Sequence, residues 1–270
     1  MEGNAHDQLA ENWSAGAEGY ETSFAPFTFP YSAEALRLLG VGPGTRLLDV
    51  AAGSGAVTLQ ALGLGADVLA TDFAPGMVEL LTRRVAEAGH PEIAVEVMDG
   101  QALVLDDASF DVAISMLGLM FFPDIGAGMR ELARVTRPGG QVAIGVWDLD
   151  RFSLVTLVRR AVTLVAPDVE LPGGLPTWAR IGHPDGLEAL FAEHGLRDTV
   201  VHGVSQWWRF DDPVQFFLDL PSWSPPVQPL FDALGPELID RVAAAFVDVV
   251  AEESDAEGLR ADVLVAIGRR

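Results

Sequence analysis

A β-type run, Arg46–Val50, leads straight into the small-residue turn Ala51-Ala52-Gly53-Ser54-Gly55, and a helical stretch follows to about Leu62. Strand, tight turn and helix in that order open a βαβ unit, which restricts the chain to architectures with a parallel sheet. The restriction tightens downstream. Asp67–Thr71 reads as a second strand, Ile93–Met98 as a third, Phe110–Ser115 as a fourth and Gln141–Trp147 as a fifth. Helical stretches lie between them at Pro75–Ala88 and Ile125–Thr136, the latter stopped by Pro138-Gly139-Gly140. These strands are near-continuous Val, Leu, Ala and Ile, as strands covered on both faces must be. The expectation is an α/β fold built on a doubly wound, mostly parallel sheet.

The flanks are less regular. Residues 6–22 read as a polar helix or arm, followed by an aromatic loop from Phe24 to Tyr31. Ser32 is placed to cap a helix that runs to Leu39 and stops at Gly40. After Trp147 the rhythm breaks. A helix-like stretch, Phe152–Val165, gives way to a loop containing Pro167, Pro172, Gly173, Gly174 and Pro176. A helix over 184–194, a sixth strand at Arg197–Val204, a proline-broken helical region over 211–252 and a seventh strand at Leu259–Ile267 complete the chain. The division expected is one domain over 1–270. Residues 1–40 form an arm or lid, 41–147 a ligand-binding core, 148–258 insertions with strand six, and 259–270 the last strand.

Charge limits the partners. The chain has 39 acidic against 17 basic residues, every base is Arg, and the net charge is -22. Such a surface repels nucleic acid and anionic membranes at long range, so no nucleic-acid partner is expected. The longest apolar run, Val112–Phe122, is short of the roughly 18 residues of a membrane span, so no membrane insertion is expected either. The polar, acidic N-terminus has no leader pattern, and a cytoplasmic location follows as an expectation. With no Cys there is no disulfide, no thiolate metal site and no Cys nucleophile, and no metal site is expected. Arg without Lys is the usage of GC-rich bacterial coding sequence. The expected partner is a small molecule, bound by a monomer or homodimer.

Three acids stand at strand ends. Asp49 closes the first strand, Asp72 the second and Asp99 the third. In a doubly wound sheet these ends border one crevice, where ligands bind. Gly53 and Gly55 permit a sharp turn and close approach of a ligand to the backbone, and the helix that follows offers free N–H groups. An acid at the second strand end can accept both hydroxyls of a ribose, and one at the third an adenine amino group. Each has a plainer reading: small residues suit strand–helix packing, and Asp72 and Asp99 suit helix caps or turns. Three in register favour a shared ligand.

The run Leu47-Leu48-Asp49-Val50-Ala51-Ala52-Gly53-Ser54-Gly55 resembles motif I of the class I S-adenosylmethionine-dependent methyltransferases. Thr71–Met77, Asp99–Leu103, Ser109–Ser115 and Glu131–Gly140 resemble that family's later segments in order, over about residues 45–147. The nearest subgroup is the ubiquinone/menaquinone-biosynthesis-like small-molecule methyltransferases. One departure is Ala51, where the family usually has its first Gly. The resemblance implies a Rossmann-like seven-stranded sheet with its last strand antiparallel beside the fifth, a helical arm and helical cap insertions. It implies S-adenosyl-L-methionine as cofactor. Asp49 would hold the amino-acid end, directly or through water, with Ala51, Gly53 and Gly55 against it. Asp72 would take the ribose, Phe73 and Met77 the adenine's surroundings, and Asp99, Gly100 and Gln101 the adenine edge. Ser115 and Met116 would lie near the sulfonium, and Tyr20 would reach the carboxylate. For Met77 and Met116, core packing is an equal alternative.

The activity implied is methyl transfer to oxygen or carbon of a small apolar or aromatic acceptor. His183 is the candidate general base, ahead of His194 and His202, because its loop should face the crevice mouth. The acceptor pocket is expected from aromatic residues of the arm and insertions, including Trp13, Tyr20, Phe24, Phe27, Phe29, Trp178, Trp207, Trp208, Phe216, Phe217 and Trp223, with Met116, Leu117 and Leu119–Phe122 as a rim, while for most of them the core of the helical cap is the plainer alternative. Two alternatives stay open: a cofactor-binding protein that does not methylate, as scaffold or rearrangement catalyst, and a nucleotide-dependent oxidoreductase. Against the second, Thr58 stands where a dinucleotide motif has its third Gly, and a Tyr-x-x-x-Lys pair is impossible without Lys.

Overall fold

A computed structural model describes residues 8–152, 154–171 and 178–270. The loop glycines and prolines expected at 172–174 and 176, and the first seven residues, lie outside the described residues.

Five strands follow the order read from the sequence: β1 (Arg46–Val50), β2 (Asp67–Asp72), β3 (Val95–Val97), β4 (Phe110–Met116) and β5 (Thr136–Trp147). They are joined by α4 (Ala56–Gly63), α5 (Pro75–Glu87) and α6 (Ile125–Val135). The arm supplies α1 (Ala10–Ala15), α2 (Ala17–Ser23) and α3 (Ala25–Leu39). The second half adds α7 (Leu154–Val165), α8 (Pro184–Glu193), β6 (Arg197–Trp208), α9 (Pro213–Trp223), α10 (Gln228–Leu234), α11 (Pro236–Glu253), a two-residue β7 (Ser254–Asp255) and β8 (Gly258–Arg269).

The sheet order is β3-β2-β1-β4-β5-β8-β6, with β7 pairing β8. β1 to β5 pair in parallel, and β8 runs antiparallel between β5 and β6. The seven main strands and the antiparallel last one are those expected, with β7 added. Alternation puts Leu47, Val112 and Ala143 in one core and Leu48, Ala113 and Val142 in the other. Both faces are therefore buried, as double winding requires. The order reverses at β1 and β4, and the crevice opens above their carboxyl ends.

Two local expectations are corrected. Phe24–Tyr31 is not a loop: Ala25–Tyr31 forms the first two turns of α3. Pro26 sits in the tolerated first turn, and Pro30 inside the helix forgoes one backbone bond. Burial of the aromatic side outweighs that loss. Tyr31 is fully buried and donates to the Ala261 carbonyl at 2.9 Å, while Phe24 stacks on Trp223 at 4.6 Å. The helix ends at Gly40 in the left-handed region, as expected. The second correction is Arg137–Gly140, which is not a free turn. It belongs to β5, whose register against β4 shifts between Phe110 and Val112, with Gly139 at φ +79.

Candidate active site

The loop after β1 is held from two sides. Asp72 is buried at the end of β2, and its Oδ2 accepts from the Gly53 amide at 2.9 Å while Oδ1 accepts from the Ala74 amide at 2.9 Å. Burial pushes its carboxyl up to about 6, against the pull of these backbone donors. Asp49 Oδ2 accepts from the Thr58 hydroxyl at 2.7 Å and the Thr58 amide at 3.1 Å. It thereby satisfies an otherwise free N–H in the first turn of α4. Burial pushes Asp49 up to about 7, with Thr58 opposing. Thr58 therefore holds Asp49 at the position where a dinucleotide motif would pack a glycine.

The loop itself runs through left-handed backbone at Ala51 (φ 58), Gly53 (φ 54) and Gly55 (φ 92). A side chain at Gly53 would meet nothing within 4 Å, whereas one at Gly55 would strike Leu81 at 2.3 Å. Gly53 thus opens towards the crevice, and Gly55 lets α5 pack close. Ala51 pays the left-handed cost an L-residue carries there. Its methyl fills space that Gly118 leaves, because a Cβ at Gly118 would lie 2.5 Å from the Ala51 Cβ.

A cavity of about 1020 Å³ stands over this loop. That matches the upper end of ligand pockets, roughly 300–1,000 Å³. Of the residues expected at the cofactor, Tyr20, Ala51, Gly53, Asp72, Phe73, Met77, Asp99, Gly100, Gln101 and Met116 line it. Asp49, Gly55 and Ser115 do not. Asp49 and Gly55 act behind the loop, as above, and the buried Ser115 hydroxyl accepts from the Leu119 amide at 3.0 Å. Asp99 accepts from the Gln101 amide at 2.8 Å, which closes the turn after β3. Gly100 is required for packing, since a Cβ there would meet Phe122 at 2.5 Å. Burial pushes the Tyr20 phenol up to about 12, with the Thr28 side chain opposing. That phenol stays protonated at neutral pH.

The arm closes one side. Ser14 Oγ accepts from the Gly76 amide at 3.1 Å, and Arg84 donates to Glu21 at 2.6 Å and to the Ser54 carbonyl. Trp13, Tyr20 and Phe73 pack around Ala17, Ala74, Met77 and Leu80. Ser14, Arg84 and the loop carbonyl were not legible as partners, because their meeting depends on where the arm docks. Leu117, at φ 58, enters the cavity wall directly after β4.

The cap side divides between the two readings, cavity wall and core. Trp13, Phe24, Trp178 and Trp223 line the cavity, as do Leu117, Met120, Phe121 and Phe122. Trp208, Phe216, Phe217 and Leu119 are core instead. Trp207 lies on the surface beneath Arg260, and Phe29 beneath Arg84. Phe27 packs against Trp208. Aromatic identity does not tell a cavity wall from a core, and only the helix faces do. His183 lines the cavity just before α8, and its Nδ1 lies 2.9 Å from Asp150 Oδ2. His194 Nδ1 faces the Leu190 carbonyl at 2.8 Å and lies off the cavity, as does His202 on β6. Among the described residues there is no cluster able to hold a metal ion, and no helix is long and apolar enough to cross a membrane.

This sheet order and this strand-end crevice define the class I S-adenosylmethionine-dependent methyltransferase fold, and residues 48–144 match the methyltransferase-domain family. Over this stretch the chain is similar to methyltransferases of the ubiquinone/menaquinone type. It is 40% identical over 152 residues to an uncharacterised protein of Mycobacterium tuberculosis, covering 55% of this chain and 53% of that one. It is 38% identical over 108 residues to a demethylmenaquinone methyltransferase of Corynebacterium urealyticum, covering 40% of this chain and 44% of that one. The matches thus span about half the length of these relatives. A Haemonchus contortus phosphoethanolamine N-methyltransferase 2, solved with phosphomonomethylethanolamine and S-adenosylhomocysteine, superposes with a TM-score of 0.60 at 17% identity. That alignment covers 95% of this chain and 57% of that one, and it speaks for the fold.

Proposed function

We propose that the chain transfers a methyl group from S-adenosylmethionine to a small apolar or aromatic acceptor. The observation that carries this reading is the continuity of the cavity over the β1 loop. It joins the loop at Gly53 and Asp72 to an aromatic wall at Phe24, Trp147, Trp178 and Trp223, with Met116 between.

The residues suit the cofactor. Each Asp72 oxygen takes one backbone hydrogen bond and has capacity to accept another, as ribose hydroxyls require. Gly53 presents bare backbone, and Asp99 with the Gln101 turn suits an amino-bearing base. Bound there, S-adenosylmethionine supplies an electrophilic methyl on sulfur. The chain then has to align an acceptor atom and exclude water. The arm, fastened through Ser14 and Arg84, covers the cofactor side, and the cap insertions cover the acceptor side.

For an acceptor that must lose a proton, His183 is the base. With Nδ1–H donated to Asp150, Nε2 is left as the acceptor of the proton. Asp150 is then a positioning residue. The protein works in the cytoplasm as a monomer or homodimer, without nucleic acid.

A screen of apolar phenols and quinones for S-adenosylhomocysteine release tests the proposal. Turnover with a member of this panel supports it. Tight cofactor binding with no turnover, alongside conversion of an acceptor without methylation, would favour the rearrangement catalyst.

A further inference from the structure

The chain leaves β5 through a buried acid. Asp148 is 6% exposed, and its amide donates to the Asp262 carbonyl on β8 at 3.0 Å. Its own carbonyl accepts from the Arg151 and Phe152 amides at 3.1 and 2.8 Å, which turns the chain back at once. Phe152 then re-enters the core, 5.1 Å from the Trp147 ring and 4.8 Å from that of Trp208. The Asp148 side chain serves the same turn. Its Oδ1 accepts from the Asp150 amide at 3.1 Å, and its Oδ2 faces Arg151 at 3.7 Å. Burial pushes the Asp148 carboxyl above its ordinary pKa, with the Asp150 amide opposing. Burying a carboxyl here, beside the equally buried Asp262, is costly, and Asp148 does not line the cavity.

This turn carries Asp150. Asp150 Oδ2 lies 2.9 Å from His183 Nδ1. The two side chains are 68% and 43% exposed, so water competes for the pair, and it holds only where both backbones are fixed. The His183 side is fixed as well. The Leu149 amide donates to the Gly182 carbonyl at 3.0 Å, which ties the turn to the residue before His183. Gly182 leaves no room for a side chain, since a Cβ there would meet Leu149 Cγ at 2.6 Å.

We infer that Asp148 is a positioning residue, which aims Asp150 at His183 and so sets the imidazole tautomer that leaves Nε2 bare. This rests on the reading of His183 as the base. The contacts run in series from the sheet to the ring. β8 holds Asp148, Asp148 holds the Asp150 amide, and the Asp150 carboxylate holds Nδ1–H. The turn needs only an accepting oxygen from Asp148, so its charge is dispensable.

The test is the tautomer of His183 in the full chain labelled with 15N-histidine, read from long-range 1H–15N spectra at about pH 8.5, where an ordinary imidazole is neutral. His183→Ala assigns the signals. Wild type should show Nδ1 protonated and Nε2 bare. Asp148→Ala should lose that tautomer, and Asp148→Asn, which keeps Oδ1, should retain it. Gly182→Ala pushes the turn away from the other side and should act like Asp148→Ala. It supplies the reading if circular dichroism shows Asp148→Ala unfolded. A wild-type tautomer in folded Asp148→Ala, or in Gly182→Ala where Asp148→Ala does not fold, would overturn the inference. So would loss of the tautomer in folded Asp148→Asn, or Nε2–H in wild type. The spectra need no acceptor, so a failed search for methyl transfer leaves them standing. Turnover that survives His183→Ala would remove the base without touching the tautomer's dependence on Asp148.

Discussion

Asp72 accepts the Gly53 amide hydrogen at 2.9 Å, so the acid that ends β2 fixes the loop that ends β1. One carboxylate therefore shapes the cradle and faces the cavity. Asp72→Asn loses one acceptor there and should weaken S-adenosylhomocysteine binding at least tenfold. Calorimetry of the two proteins checks this.

The same residue sets a pH signature. Its carboxyl lies at about 6 in the folded protein, raised by burial from 3.8. The folded protein keeps that proton where the unfolded chain has released it. The stability it contributes is complete below about pH 4 and is lost as pH rises through about 6, at most about 3 kcal/mol. Wild type should therefore gain on Asp72→Asn at pH 4.5 and lose that gain at pH 7.5. Thermal melts of both proteins across this range read the difference. Parallel curves would contradict the assignment.

Ala51 and Gly118 are coupled. Gly118→Ala alone brings two methyl carbons to 2.5 Å and should cost about 1–3 kcal/mol. Ala51→Gly, at φ 58, relieves left-handed strain of about 1 kcal/mol. The double variant should be more stable than the sum of the two changes, and a double-mutant cycle in urea measures the excess.

Gly76 decides whether the arm docks. A Cβ there would meet the Ser14 backbone at 2.6 Å. Gly76→Ala should loosen residues 10–23, seen as faster hydrogen exchange in that segment, and should weaken S-adenosylhomocysteine binding without unfolding the sheet. Unchanged exchange would show that the arm is held by other contacts.

His183→Ala should lower turnover by about 10²- to 10⁴-fold for an acceptor that must be deprotonated. Asp150→Asn should lower it less, and both should leave S-adenosylhomocysteine affinity unchanged. Rate against pH in wild type and both variants makes the check. A variant profile identical to wild type would remove the base.

The core strands were legible because their period and their small-residue turns are local properties of the chain. Asp72, Gly53 and Asp99 were legible because their places at strand ends follow from that same rhythm. Other features depend on packing over long sequence distances. Phe24–Tyr31 reads as a loop from its two prolines, yet tertiary burial of Phe24 and Tyr31 makes most of it helix. Asp49 reads as holding the cofactor's amino-acid end, directly or through water, and its Oδ2 partner Thr58, nine residues on, becomes visible only once α4 is in place.

The central claim is that the crevice over Gly53 and Asp72 binds S-adenosylmethionine. Titration calorimetry of the wild-type chain with S-adenosylhomocysteine tests it most directly. The account predicts one site per chain with micromolar or tighter affinity, lost on Asp72→Ala. No heat at micromolar to millimolar concentration, or binding indifferent to Asp72→Ala, would contradict it.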